Sequence, residues 1–100
     1  MKIKAGIIGA SGYSGYELIK ILSKHKFVDL AFLNSKSHKG QAVKSLYNDF
    51  WDDKLKFTNL SLKEINKSNA DVVFTALPSA ESREIAPQIN TKVIDLSADY

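Results

Sequence analysis

The sequence predicts a doubly wound α/β fold, a mostly parallel sheet with helices on both faces, on three observations. Short apolar runs alternate with amphipathic stretches along all 100 residues. The first run (Ile3, Ala5, Ile7, Ile8) feeds a glycine-spaced turn and then a helical pattern. The stretch Asp71–Leu77 is nearly continuous in apolar residues, as strands covered on both faces are.

Each element follows in order. The opening strand covers Lys2 to Ile8, and a helix from Tyr13 to Lys24 is expected to turn Leu18, Ile19, Ile21 and Leu22 inward, with Glu17, Lys20 and Lys24 outward. Lys24, His25 and Lys26 crowd its C-terminal end, where cations complement the helix dipole. A second strand runs from Val28 to Leu33. Residues 34–54 are the least regular part, with a short helix expected over Gln41–Leu46 and a loop over Asp49–Lys54. A strand around Leu55–Leu60 and a helix over Ser61–Asn66 come next, and Ser61 with Glu64 fits a capping box. Beyond the strand Asp71–Leu77, residues Ser79–Ile89 read as a helix interrupted or ended by Pro87, and Lys92–Leu96 as a last strand.

Composition narrows the function classes. With 44% hydrophobic and 25% charged residues the chain is globular rather than disordered. No apolar run is long enough to span a membrane, and the N-terminus lacks signal-peptide anatomy, so a cytoplasmic protein without a membrane partner is expected. The absence of cysteine removes disulfides, thiolate ligands and any thiol nucleophile from this chain. The net charge of +3 is scattered without aromatic interleaving, which argues against nucleic acid. His25 and His38 lack partners at metal-ligand spacing, so no metal site is assigned. The sequence stops at Ser97-Ala98-Asp99-Tyr100, just after a strand end, where such sheets carry ligand contacts. Residues 1–100 are therefore expected to be an incomplete nucleotide-binding domain, with the catalytic and dimerisation part outside this chain.

The chemistry concentrates in Gly6-Ile7-Ile8-Gly9-Ala10-Ser11-Gly12-Tyr13-Ser14-Gly15, four glycines at a spacing of three. A strand leading through such a turn into a helix N-terminus makes an anion site, because free amides and the helix dipole both favour phosphate there. The reading is a dinucleotide pyrophosphate loop. In NAD-binding domains an acid about twenty residues past the last glycine accepts hydrogen bonds from the ribose. Here that window is Asn34-Ser35-Lys36-Ser37, with no acid in it. A carboxylate would repel a 2′-phosphate, whereas hydroxyls and an ammonium would bind it. Ser35 and Lys36 are the candidates for that contact, and NADP is favoured over NAD; the plainer alternative is a solvated turn.

Three separated segments carry a family resemblance: Gly6–Leu18, Thr75–Ser79 (TALPS) and Val93–Tyr100 (VIDLSADY). Together they resemble N-acetyl-γ-glutamyl-phosphate reductase, the arginine-biosynthetic relative of aspartate-semialdehyde dehydrogenase, over essentially the whole chain. The resemblance implies a Rossmann-type, NADP-binding N-terminal part of that oxidoreductase. It places Gly9, Ser11, Gly12, Tyr13, Ser14 and Gly15 in the pyrophosphate loop. It sets Ser35 and Lys36 where the family usually has Ser-Arg at the 2′-phosphate. Lysine keeps the charge but loses the guanidinium fork. Ala76, Leu77 and Pro78 match the turn lining the nicotinamide side, and Ser97 would lie near the nicotinamide and substrate phosphate. Many members continue that turn with His-Gly; this chain has Ser79-Ala80, so nothing catalytic is carried onto Ser79. Asp99 suits a turn or cap better than a general base.

The resembled reaction reduces an acyl-phosphate substrate to a semialdehyde with NADPH and releases phosphate. A thiolate would attack the acyl carbon, hydride would reduce the resulting thioester, and a histidine would help as acid and base. In the family the nucleophile and its histidine lie beyond the point where this sequence stops. The chain alone is therefore expected to bind NADP(H) without turnover, and the full-length enzyme to be a homo-oligomer. Two alternatives stay open: a lysine-pathway semialdehyde dehydrogenase, and a stand-alone NADP-binding module without catalysis. A short-chain reductase shares the glycine spacing but would need a Tyr-x-x-x-Lys pair further on.

Overall fold

A computed structural model of the chain describes residues 2–96. Ser97 and Asp99, singled out above, lie outside the described residues. Strands β1 (Ile3–Ile8), β2 (Val28–Asn34), β3 (Val72–Thr75) and β4 (Lys92–Asp95) form one sheet in the order β2-β1-β3-β4, with every pairing parallel. Helices α1 (Tyr13–Ser23), α2 (Val43–Leu46), α3 (Leu62–Lys67) and α4 (Ser79–Ile85) fill the connections.

Side chains alternate across a strand, so neighbouring residues serve opposite faces. Ile7 and Leu33 face one core with Tyr16 and Ile19 of α1, Val43, Phe50 and Phe57. Ile8, Phe32 and Val73 face another with Ile65 of α3 and Ile89. Both faces are covered, as the doubly wound expectation requires. The chain leaves β1 for β2 on one side and returns past it to β3 on the other. A crevice therefore opens at the carboxyl ends of β1 and β3, where such folds bind ligands.

Several element-level expectations need correction. Ile21 does not face inward; it is 63% exposed. Residues two apart on a helix point about 200° apart, so Ile19 and Ile21 cannot share a face. Tyr16 takes a core position instead, 4% exposed. The strand expected over Leu55–Leu60 reduces to two isolated bridges, Lys56 with Ala42 and Thr58 with Asn34. The backbone there changes partner at every step. Phe57 pairs with Gly40 and Gln41, Thr58 with Leu33 and Ser35, and Leu60 with the Asn34 side chain, so no ladder builds up. β3 is shorter than Asp71–Leu77, because Asp71 uses its carboxylate on the Lys4 amide and Ala76 begins the turn. Pro87 ends the α-helical path: α4 stops at Ile85 and a 3-10 turn covers Ala86–Gln88.

The expected capping box at α3 is present. The Ser61 hydroxyl accepts the Glu64 amide at 3.2 Å, and the Glu64 carboxylate accepts the Ser61 amide at 2.8 Å. The Ser61 backbone amide first, and then the Ser61 hydroxyl, hold the Glu64 carboxyl below its ordinary range.

Candidate dinucleotide site

The glycines divide their work. Gly6 lies within β1, and the Phe32 ring occupies the space its Cβ would take, so this first glycine belongs to the core. Gly9 adopts φ +84°, a left-handed conformation in which a Cβ would also meet the Ala76 carbonyl oxygen at 2.7 Å. A Cβ on Gly15 would meet the Gly9 carbonyl oxygen at 2.5 Å and Ala10 Cα at 2.8 Å. Gly12 differs from both. Its φ of −77° suits any residue, and the nearest atom to an added Cβ is the Gly9 oxygen at 3.8 Å. Nothing inside the fold needs glycine at position 12. The open space beside it is what a closely approaching ligand requires.

The loop is held by its neighbours. The Asn34 carbonyl at the end of β2 accepts the amides of Gly9 (3.0 Å) and Ala10 (2.8 Å). From β3, the Ala76 amide donates to the Ile8 carbonyl at 2.8 Å. The Tyr47 hydroxyl donates to the Ser11 carbonyl at 2.6 Å. Gly12 caps α1 without a side-chain bond, and the first turn carries no acid. The leading amides of a helix have no intrahelical partner, so those of Tyr13, Ser14 and Gly15 are available to an anion.

Beside the loop lies a cavity of about 490 Å³ whose wall includes Gly9, Ser11, Ser35, Lys36 and Leu77. The Ser11 and Ser35 hydroxyls meet at 2.8 Å and join the glycine loop to the end of β2. Lys36 is exposed at the rim, and Glu81 and Glu84 of α4 contribute acidic groups to the wall. Tyr13 stands 76% exposed on the first turn of α1. Ala76 serves as the backbone neighbour of Gly9, and Pro78 is the exposed N-cap of α4. The structure thus gathers Gly9, Ser11, Ser35, Lys36 and Leu77 around one cavity, with Gly12, Tyr13, Ser14 and Gly15 at the adjoining helix start.

Two residues of this site were not singled out from sequence. Asn34 is 5% exposed, and its side chain accepts from Thr58 and Leu60 and donates to the Leu60 carbonyl. A polar residue closing an apolar strand was the available signal. Tyr47 gave none, because it sits in an irregular stretch with no period to read. Tyr16 and Lys20 do stand at Tyr-x-x-x-Lys spacing, but within α1 itself. The Tyr16 hydroxyl donates to Asp49 at 2.8 Å and Lys20 pairs with Glu17 at 3.2 Å. Burial, then the Asp49 hydrogen bond and charge, push Tyr16 up to about 12. It holds its proton and is unsuited to proton transfer near neutrality.

Among the described residues no helix is long and apolar enough to cross a membrane. The family model for the semialdehyde dehydrogenase NAD-binding domain matches residues 4–100. N-acetyl-gamma-glutamyl-phosphate reductase of Pseudothermotoga lettingae is 43% identical over 102 residues, covering 99% of this chain and 29% of the relative. The Methanosarcina mazei enzyme of the same name is 45% identical over 104 residues, covering 98% of this chain and 30% of the relative. The chain thus spans about three tenths of the length of the curated relatives it matches. A crystal structure of aspartate semialdehyde dehydrogenase with NADP from Candida albicans superposes with a TM-score of 0.77 at 24% identity. It covers 100% of this chain and 31% of that one, a likeness of fold.

Proposed function

The chain belongs to the semialdehyde dehydrogenase NAD-binding domain family, and from that premise we propose that it is the NADP-binding part of an N-acetyl-γ-glutamyl-phosphate reductase. The parent enzyme reduces N-acetyl-glutamyl 5-phosphate to the semialdehyde and releases phosphate, a step of arginine biosynthesis. The identity to enzymes of that name supports this substrate over the lysine-pathway analogue.

One observation carries the cofactor reading: the space a Cβ at Gly12 would take is open beside a helix start with no side-chain cap, with Ser35 and Lys36 in place of an acid at the end of β2. The residues fit the group. A pyrophosphate would take the amides of Tyr13, Ser14 and Gly15 together with the Ser11 hydroxyl. Lys36 would supply the positive charge for a 2′-phosphate and Ser35 a hydroxyl beside it. Leu77 would give the bound molecule an apolar wall, and Ala76, Pro78 and Ser97 would complete the nicotinamide side. When bound, NADPH supplies the hydride for the acyl carbon. The chain's own residues bind and orient.

With no cysteine among its 100 residues, this chain does not carry the thiol nucleophile that acyl transfer needs. We assign that step, with oligomerisation, to the remainder of a cytoplasmic parent enzyme. Titration with NADPH, followed by the change in its fluorescence, tests the reading. Binding of NADPH in preference to NADH is expected, with no reduction of acyl phosphate by this chain alone. No affinity for either nucleotide, or turnover by the chain unaided, overturns it.

A further inference from the structure

We infer that Tyr47 is a positioning residue for the glycine loop, acting as a clamp that keeps the Ser11 carbonyl turned into the protein and away from a bound pyrophosphate. The inference rests on the dinucleotide reading above and adds a residue from the irregular segment to it.

The Tyr47 hydroxyl reaches 36 positions back along the chain to donate to the Ser11 carbonyl at 2.6 Å. That carbonyl and the Gly12 amide belong to one trans peptide, so they point in opposite directions within its plane. The Gly12 amide turns to the Gly9 carbonyl at 3.4 Å. Both ends of the plane are therefore engaged, and the bond from Tyr47 is the shorter. Fixing this plane sets the direction in which α1 starts, and with it the aim of the Tyr13, Ser14 and Gly15 amides. A carbonyl released from Tyr47 would seek water at the loop mouth, bringing partial negative charge toward the space a phosphate needs.

Tyr47 is itself held in place. Its ring stacks on Tyr16 with centroids 3.8 Å apart and planes 3° from parallel. The Tyr16 hydroxyl is fixed by Asp49 at 2.8 Å, and the Phe50 ring stands edge-on to Tyr16 at 6.0 Å. The Tyr47 amide donates to the Val43 carbonyl, and the Tyr47 carbonyl accepts the Phe50 amide. A side chain retained only for packing would need the ring alone. The hydroxyl is the part aimed at the loop.

Tyr47→Phe separates these roles because it keeps the stack and removes the hydroxyl. In the full chain, NADPH should bind about 3- to 10-fold more weakly, the range of one lost hydrogen bond. Adenosine 2′-phosphate, which lacks the pyrophosphate, should bind with its affinity unchanged, as followed by NMR shift titration. Ser45→Ala, a control that removes a nearby hydroxyl whose bond goes to the Ala42 carbonyl and not to the loop, should leave NADPH affinity within about twofold. Unchanged NADPH affinity in Tyr47→Phe overturns the clamp. Equal weakening of both ligands, or equal weakening by Ser45→Ala, overturns it as well, since either shows a general loosening. Wild-type chain that fails to bind NADPH overturns the dinucleotide reading itself, a result distinct from a wild type that binds and an indifferent Tyr47→Phe.

Discussion

Alanine at Gly12 and alanine at Gly15 should fail in opposite ways. At Gly15 the new Cβ would lie 2.5 Å from the Gly9 carbonyl oxygen and 2.8 Å from Ala10 Cα, both backbone atoms of a turn already tied to β2. Neither can swing aside as a side chain could. Overpacking of this kind costs about 1–3 kcal/mol, and a rigid backbone neighbour places it at the upper end. For a domain of this size each kcal/mol lowers Tm by about 4–8 °C, so a fall of about 10–20 °C is expected. At Gly12 the nearest atom is 3.8 Å away and the backbone angles suit any residue. The remaining cost is that of alanine in place of glycine at an N-cap, about 1 kcal/mol or less. The methyl group would instead stand where the pyrophosphate approaches. Losing one hydrogen bond to a charged group costs about 1.5–3 kcal/mol. NADPH affinity should fall about 10-fold or more on that basis. Thermal unfolding followed by far-UV circular dichroism, paired with NADPH titration, reads both quantities on both variants. A Gly12→Ala chain that binds NADPH like wild type refutes the placement of the phosphate. A Gly15→Ala chain with unchanged Tm refutes the steric argument.

Three further outcomes can be checked. Lys36→Ala should weaken NADPH by about tenfold and leave NADH unaffected, the signature of a lost 2′-phosphate contact, measured by calorimetric titration. Ser61→Ala should cost about 1 kcal/mol in urea unfolding near neutral pH by removing the α3 cap. Because the folded Glu64 carboxyl lies below its ordinary 4.5, its contribution is present above that pH and lost as pH falls through the folded value. Glu64→Gln, which removes the titrating carboxyl itself, should therefore show a shallower acid limb than wild type, and an identical limb would count against the capping account. Tyr16 runs the other way: its folded value, about 12, exceeds the ordinary 10.0, so its contribution is complete below pH 10 and lost as pH rises toward 12. Tyr16→Phe should flatten alkaline unfolding in that window, and an unchanged alkaline limb would remove the burial argument.

The layers and the loop were readable because both leave local signatures. Alternating apolar runs mark a covered parallel sheet, and glycine spacing after a strand marks a turn with unusual backbone demands. What escaped was set by distant residues. Ile21 is the exception: helix geometry alone sets it about 200° from Ile19, so its exposure was legible and the period was misapplied. The segment 55–60 reads as a strand by its alternation, yet its hydrogen bonds go to Gln41, Leu33, Ser35 and Asn34 in turn. Four glycines look equivalent in sequence. Only the Phe32 ring over Gly6 and the empty space beside Gly12 tell a packing position from one a ligand can use. Glu81 and Glu84 reach the cavity because α4 follows β3 into the second face, a consequence of strand order rather than spacing.

The loop is held by bonds from the rest of the fold. The carbonyl of Asn34 holds it from β2, the amide of Ala76 from β3, and the hydroxyl of Tyr47 from the irregular segment. Binding to a preformed loop avoids the cost of ordering it, so more of the interaction remains as affinity. The same bracing extends to the Ala76–Pro78 turn. Inside the fold, the buried Ser82 hydroxyl donates to the Thr75 hydroxyl at 2.9 Å, which donates to Asp95 at 3.1 Å. The Leu96 amide donates to the Thr75 carbonyl at 2.8 Å. This chain of bonds ties the carboxyl ends of β3 and β4 to the middle of α4, on either side of the Ala76–Pro78 turn. Hydride transfer demands that donor and acceptor carbons be held in one geometry. On the function proposed above, a fold that braces both the glycine loop and this turn would hold a dinucleotide at its central pyrophosphate and at its nicotinamide end, and so would orient the nicotinamide.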